Sequence, residues 1–428
     1  MVSVSGSLPK QTATRWVCEY FLGEAVYSLA LILAHLIRLY PNNVQSSTLT
    51  RAAGTARFAW NWGLARWNEQ YAAGGKPSWM KLDAEMNALK KSSFSWMNEA
   101  VGSRPAKAAL KDLGQAFQNF FRRAKAGEKP GYPKFKKRGR CKESFYVSGE
   151  RLQFEGKKIR LPKLGWVKMA EVVRFPGRIR SARFSKRAGN WFVSVQVELA
   201  ESWSYSHCCE NQAVVGVDLG VRNLAVPSKG DPTPAPRALR FYEKRLKRLQ
   251  REMARRTRGG ANWNKTKLKL QKCHEKIANI RRDVTHKLTS GLVKNFRFIG
   301  VEDLNIKGMV KNHHLAKSVA DAAMAEVRRQ LEYKAPLAGG VVVLADRWFP
   351  STKTCSACGH VLEHLALSER QWRCPSCETT HDRDFNAARN LERIAAEYAV
   401  KARRAGGSGD FGRETVLVEA GTERLATA

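Results

Sequence analysis

Cys355-Ser-Ala-Cys358 and Cys374-Pro-Ser-Cys377 are two tight cysteine pairs separated by fifteen residues. Thiolates carried on two such turns can converge on one tetrahedral Zn²⁺, and paired CxxC at this spacing signals a structural metal rather than four unrelated thiols. Directly after them comes Thr380-His-Asp-Arg-Asp384-Phe-Asn-Ala-Ala388, where Asp384 opens an apolar helical run through Leu391, Ile394, Ala395 and Tyr398. A carboxylate there meets the positive end of the helix dipole and suits an N-cap or a metal ligand. Two more acids end apolar runs: Val214-Val-Gly-Val217 delivers Asp218, and Phe298-Ile-Gly-Val301 delivers Glu302. An Asp close to a Gly is by itself more often a turn residue. Three acids that each end a core element are different, because a single sheet could gather them. Three anions at one point repel unless cations intervene, and hard divalent ions with oxygen ligands, Mg²⁺ or Mn²⁺, suit in-line phosphodiester displacement. Asp303 and Asp382 are neighbours that pleat and helix phase make weaker candidates.

Strands and helices must hold these groups. Residues 1–34 form an extension of uncertain role, whose apolar run Ala25–Ile37 loosely imitates a signal peptide but is too short to span a bilayer. Residues 35–50 supply a first strand, stopped by Pro41-Asn-Asn, and residues 51–126 form a helical module. From 127 to 210 a Pro/Gly-broken basic run with aromatics, Lys129–Arg140, leads into strand-like pieces around 145–147, 152–154, 172–175 and 191–197, predicting a small β-barrel. Residues 211–350 read as an α/β nuclease core of acidic-ended strands and two long basic helices broken at Gly259-Gly260. The zinc ribbon occupies 351–381, a returning core helix 382–400 and a flexible tail 401–428.

Charge narrows the partners. Lys and Arg outnumber Asp and Glu by 75 to 38, a net +37 spread over the chain, so nucleic acid is the expected partner. Neither a basic amphipathic anchor nor a lipidation motif points to a membrane. Nine cysteines in a chain this long do not make a secreted disulfide scaffold, and a reducing cytoplasm is expected. The basic run 129–140 could place lysines on phosphates and rings on bases.

Gly216-Val-Asp218-Leu-Gly220, Gly300-Val-Glu302-Asp-Leu304, the ribbon and Asp382-Arg-Asp384-Phe-Asn-Ala-Ala388 together resemble the TnpB (OrfB-type) family of transposon-encoded proteins, relatives of compact type V CRISPR effectors. Arg38-Leu-Tyr-Pro41, Gly131–Lys136, Asn279–Asp283, Leu331–Lys334 and Ser351–Cys355 echo family segments in the same order, so the resemblance spans about residues 35–400. It implies an RNA-guided DNA endonuclease with a RuvC-like core of RNase H type, a wedge-like β-barrel and a helical recognition lobe. It also implies Asp218, Glu302 and Asp384 as catalytic metal ligands, a structured guide RNA and double-stranded target DNA, at the nucleoid of a prokaryote; the expected form with its RNA is a monomer, although the sequence leaves the oligomeric state open. A direct RNase H-type transposase and a non-cleaving nucleic-acid-binding regulator are the alternatives.

Overall fold

The computed structural model describes residues 31–98, 104–199, 213–366, 368–404 and 416–418. Residues 1–30 and most of 405–428, and with them most of the expected extension and tail, lie outside the described residues.

The chain enters through β1 (Ile32–Tyr40), whose alternating burial marks a half-buried strand. Pro41 ends it, and Asn42 starts α1 (Asn43–Ala72) through a reciprocal capping box with Gln45. The opening strand stops at Pro41 as expected, and the helical module begins at Asn43 rather than at the expected residue 51. α2 (Trp79–Leu89), capped by Ser78, and α3 (Arg104–Lys125) complete the helical module, in which Trp67 stacks on Phe117 with ring centroids 4.2 Å apart.

A seven-stranded antiparallel sheet follows, built from β2 (Ser144–Ser148), β3 (Gln153–Glu155), β4 (Lys158–Leu161), β5 (Gly165–Met169), β6 (Arg178–Arg187) and β7 (Asn190–Glu198) with β1 inserted between β7 and β5. Its edges are β2 and β3, and among the described residues no ladder joins them, so where a small β-barrel was expected the hydrogen bonding is that of an open sheet. The expected strand at 172–175 is absent, because that segment is held by a side chain instead: the Arg174 amide donates to His35 Nδ1 at 3.2 Å.

The second sheet positions the acidic residues. It contains β8 (Val214–Asp218), β9 (Asn223–Pro227) and β10 (Thr233–Pro234), then α4 (Ala238–Ala254) and α5 (Ala261–Asn295) lead to β11 (Phe298–Glu302). Short α6 (Ile306–Met309), α7 (His313–Ala322) and α8 (Met324–Leu337) return the chain to β12 (Val341–Ala345). α7 and α8 are separated at Ala323, whose φ of 63° is left-handed. After the first cysteine turn comes the hairpin β13 (Gln371–Arg373) and β14 (Thr380–Asp382), which encloses the second, then α9 (Arg383–Arg404) and β15 (Val416–Val418). The order is β10-β9-β8-β11-β12-β15, with β8, β11, β12 and β15 parallel. Part of the expected flexible tail is therefore strand, which pairs with the otherwise open edge of β12.

Pleat assigns the faces. Val215, Val217, Ile299 and Val301 pack with α5, α7 and α8, while Phe298, Val341 and Val343 pack with α9. Gly216 and Gly300 are paired neighbours on the α9 face. A Cβ on Gly216 would sit 1.9 Å from the Ala388 carbonyl, and one on Gly300 would sit 2.3 Å from that of Leu391. The missing side chains, with Ala387, Ala388 and Ala395 on the helix, let α9 lie directly on the strands.

Candidate active site and metal centre

Asp218 and Glu302 lie two residues beyond Gly216 and Gly300, hence on the same α9-covered face, one step past the last paired residues of the β8/β11 ladder. Asp384 sits in the first turn of α9. The cap itself is Asp382, whose Oδ1 accepts the Phe385 amide at 3.0 Å, leaving the Asp384 carboxylate available for other work. Close helix-on-strand packing thus delivers an acid from the helix start to the C-terminal ends of two parallel strands.

The electrostatics are those of an acid cluster. Burial, then the charges of Glu302 and Asp384, push the Asp218 carboxyl well above its ordinary range, while Arg383 and Arg370 pull the other way. Burial also raises Glu302, offset in part by the Ser351 hydroxyl, which donates to its Oε1, and by Arg383. Arg370 reaches Asp384 Oδ1 at 3.3 Å from the ribbon hairpin. Two buried carboxylates that resist joint ionisation, in an all-oxygen donor set, fit a hard divalent cation. Asp303 has the opposite pleat and a structural role: Arg328 of α8 and Arg347, the latter at 2.5 Å, hold it, and although burial opposes this, their hydrogen bonds bring its carboxyl below the usual range.

The four cysteines form a tighter group. Cys355 Sγ lies 3.6 Å from Cys377 Sγ and Cys358 Sγ 3.6 Å from Cys374 Sγ. Tetrahedral Zn²⁺ with bonds of about 2.3 Å requires sulfurs about 3.8 Å apart, so the quartet fits that ion. Among the described residues it is the group of three or more candidate ligands whose donor atoms all lie within 4.8 Å of one another; the carboxylate trio is more open. Burial pushes the Cys355 thiol up to about 11, while the Thr379 hydroxyl and amide bring Cys377 down to about 6. His381 Nε2 approaches Cys355 Sγ at 3.1 Å, beneath Trp372.

The motif reading assigned no role to several residues that hold the site. Asn386 and Asn390, one helical turn apart on α9, donate through Nδ2 to the Thr354 carbonyl at 2.8 and 2.7 Å, and Asn390 to that of Ser351 at 2.8 Å. They bind the first cysteine turn and Ser351 to the helix that carries Asp384. Two buried asparagines on a helix otherwise lined with alanine and leucine were the available signal.

The basic run 129–140 is fastened down rather than loose. Trp60 Nε1 donates to the Lys134 carbonyl (3.0 Å), Asn61 bonds both backbone groups of Lys136, and Lys136 Nζ lies 3.4 Å from the Trp60 ring centre. Tyr132 and Phe135 remain about half exposed.

Parallel strands ending in buried acids under a covering helix, with a four-thiolate knuckle on the approach to that helix, define a mixed α/β protein of the acidic-site, zinc-ribbon class. Comparisons with known proteins agree. The family model OrfB_IS605, "Probable transposase", matches residues 194–313; "Cas12f1-like, TNB domain" matches 325–391; and a "Helix-turn-helix domain" matches 31–76, which here is β1 followed by α1. Two relatives bear the name "Putative RNA-guided DNA endonuclease": InsQ of Escherichia coli (strain K12), 34% identical over 86% of this chain and 93% of its own, and one from Streptomyces pristinaespiralis, 34% identical over 85% and 89%. The CRISPR-associated endodeoxyribonuclease Cas12f1 of Sulfoacidibacillus thermotolerans is 23% identical over 48% of this chain and 50% of its own. A solved Cas12f1–sgRNA–target DNA complex aligns at 14% identity over 85% of this chain and 99% of its own, with a TM-score of 0.32. The chain belongs to the TnpB (OrfB-type) family of transposon-encoded proteins.

Proposed function

We propose that this protein is an RNA-guided, divalent-metal-dependent DNA endonuclease, with Asp218, Glu302 and Asp384 as its catalytic carboxylates. One observation carries the reading: Asp218 and Glu302, side by side on the α9 face, with Asp384 close enough to perturb Asp218. The order β10-β9-β8-β11-β12 supports a RuvC-like core of RNase H type, in which a three-stranded antiparallel unit continues into parallel strands. Mg²⁺ or Mn²⁺ held by the three acids would supply charge neutralisation and an activated water for phosphodiester hydrolysis. Around them, Ser351 orients Glu302, Arg370 orients Asp384, and Arg383 offsets the negative field. Zn²⁺ on Cys355, Cys358, Cys374 and Cys377 is structural. The first sheet, as a wedge, and the α1–α3 module, as a recognition lobe, take a structured guide RNA and double-stranded target DNA through the basic surface. Among the described residues no helix is long and apolar enough to cross a membrane.

The test is cleavage of a matched duplex by protein carrying its copurified RNA, in Mg²⁺. Asp384→Ala should bind RNA and DNA but not cut. Site-specific cutting by RNA-free protein would turn the reading to a direct transposase, and full activity in Asp384→Ala would remove the site.

A further inference from the structure

Trp348 is the most exposed large apolar side chain among the described residues, at 85%. It stands in the segment that joins β12 to the first zinc turn, and that segment is held on both sides. The Trp348 amide donates to Asp346 Oδ1 at 2.7 Å and the Phe349 amide to the Asp346 carbonyl at 3.1 Å. Arg347 pairs with Asp303, the neighbour of Glu302, and Ser351 donates to Glu302 itself. Phe349 packs against the α9 side of the core. A fixed backbone therefore presents an indole to water, and no ring or cation among the described residues stacks on it.

Leaving so much apolar area in water is unfavourable unless something covers it in the working complex. A protein partner would bury a patch of roughly 800 Å² per side. Here the ring stands alone, flanked by the exposed Arg347 and Pro350. A lone exposed indole matches a single nucleobase, because the ring supplies a stacking face that tolerates any sequence, while Arg347, paired with Asp303, holds the loop in place.

We propose that Trp348 stacks on one base of the DNA strand at the Asp218/Glu302/Asp384 site and so fixes which phosphodiester meets the carboxylates. This rests on the nuclease reading above. Trp348 is a positioning residue in this scheme, because it touches the substrate away from the reacting phosphate.

In the RNA-loaded protein, Trp348→Ala should lower kcat/KM about 5- to 150-fold, the equivalent of one stacked base, with Trp348→Phe in between. The melting midpoint should not change, since the ring is exposed. The decisive readout is a scan of single abasic sites along the cleaved strand. With Trp348 present, one position should depress cleavage beyond its neighbours, and in Trp348→Ala that extra sensitivity should vanish. 2-Aminopurine at the same position should be quenched when bound to the non-cutting Asp384→Ala protein, and should stay bright when bound to the double variant Asp384→Ala, Trp348→Ala. Identical abasic profiles, or quenching indifferent to the substitution, overturn the proposal while leaving the nuclease reading intact. If the wild-type protein cuts no DNA, that reading fails, and the quenching experiment still decides whether the indole stacks.

Discussion

Asp218 and Glu302 are held in a state that their own burial opposes, which makes the candidate site a source of instability in metal-free protein. A carboxyl whose folded pKa lies above its unfolded value favours the fold while protonated, and its contribution turns unfavourable as pH rises from the unfolded value through the folded one. Asp218→Asn should therefore raise the melting midpoint of the metal-free chain, by a margin that is absent at acid pH and grows toward neutrality. Mg²⁺ or Mn²⁺ should stabilise the wild type more at higher pH, because protons must leave before the ligands can act, and should have little effect on the variant. Melting curves across pH with and without metal check this, and a margin that is constant across pH would count against the cluster. Ser351→Ala is expected to lower kcat while leaving RNA binding unchanged, since its hydroxyl touches Glu302 and no basic surface. What is readable at this scale is what lies close in sequence. The CxxC pairs announce their joint ligand set because each is one turn, and Asp218 and Glu302 share a face with their glycines because pleat repeats every second residue. Ser351, Asn386 and Asn390 do not show locally which groups they bind, since their partners lie 32 to 49 residues away.

At the scale of elements, the α9–sheet contact and the ribbon hairpin both act on one residue, Asp384. Gly216→Ala and Gly300→Ala each place a methyl against helix backbone rather than a yielding side chain, so α9 must move off β8 and β11. Overpacking of this kind costs about 1–3 kcal/mol or more, so each variant should melt lower and lose cleavage out of proportion to its stability. The ribbon enters through β14, which runs straight into α9, and through Arg370, which reaches Asp384 across the hairpin. Elemental analysis should find about one zinc per chain, lost in Cys374→Ser, and zinc loss should weaken Mn²⁺ binding at the carboxylates besides unfolding the knuckle. Titrating Mn²⁺ into that variant checks it, with undiminished affinity the adverse result. The alternation that reveals β1 and β7, and the continuous apolar runs that reveal β8 and β11, are visible in the residues themselves. The open form of the first sheet and the strand β15 are not, because edge pairing depends on which backbone happens to be left without a partner.

Across the whole molecule, the excess of positive charge is carried by surfaces that the folded core does not consume. On α4 the apolar positions Leu246 and Leu249 turn inward to α5, while Lys244, Arg245 and Arg248 stay exposed and enter none of the ion pairs found among the described residues. Lys247 differs, being tied to Glu243 at 3.0 Å, and Glu243 is brought down to about 2 by Lys317 and Lys247. The free three are therefore proposed as a rail for phosphates, whereas Lys247 and Lys317 are partly spent on the protein. Replacing Lys244, Arg245 and Arg248 with Ala should weaken binding of nucleic acid of any sequence. The plot of log affinity against log salt should become shallower by about 0.9 for each duplex phosphate that is no longer neutralised, or about 0.7 for single strands. Lys247→Ala alone should change the slope by less. Titrations of RNA and of duplex DNA at several salt concentrations measure both quantities. A triple variant whose slope equals that of the wild type would show that α4 faces solvent in the complex, and that the counterion release comes from elsewhere, with the fastened strap at 129–140 the next surface to neutralise.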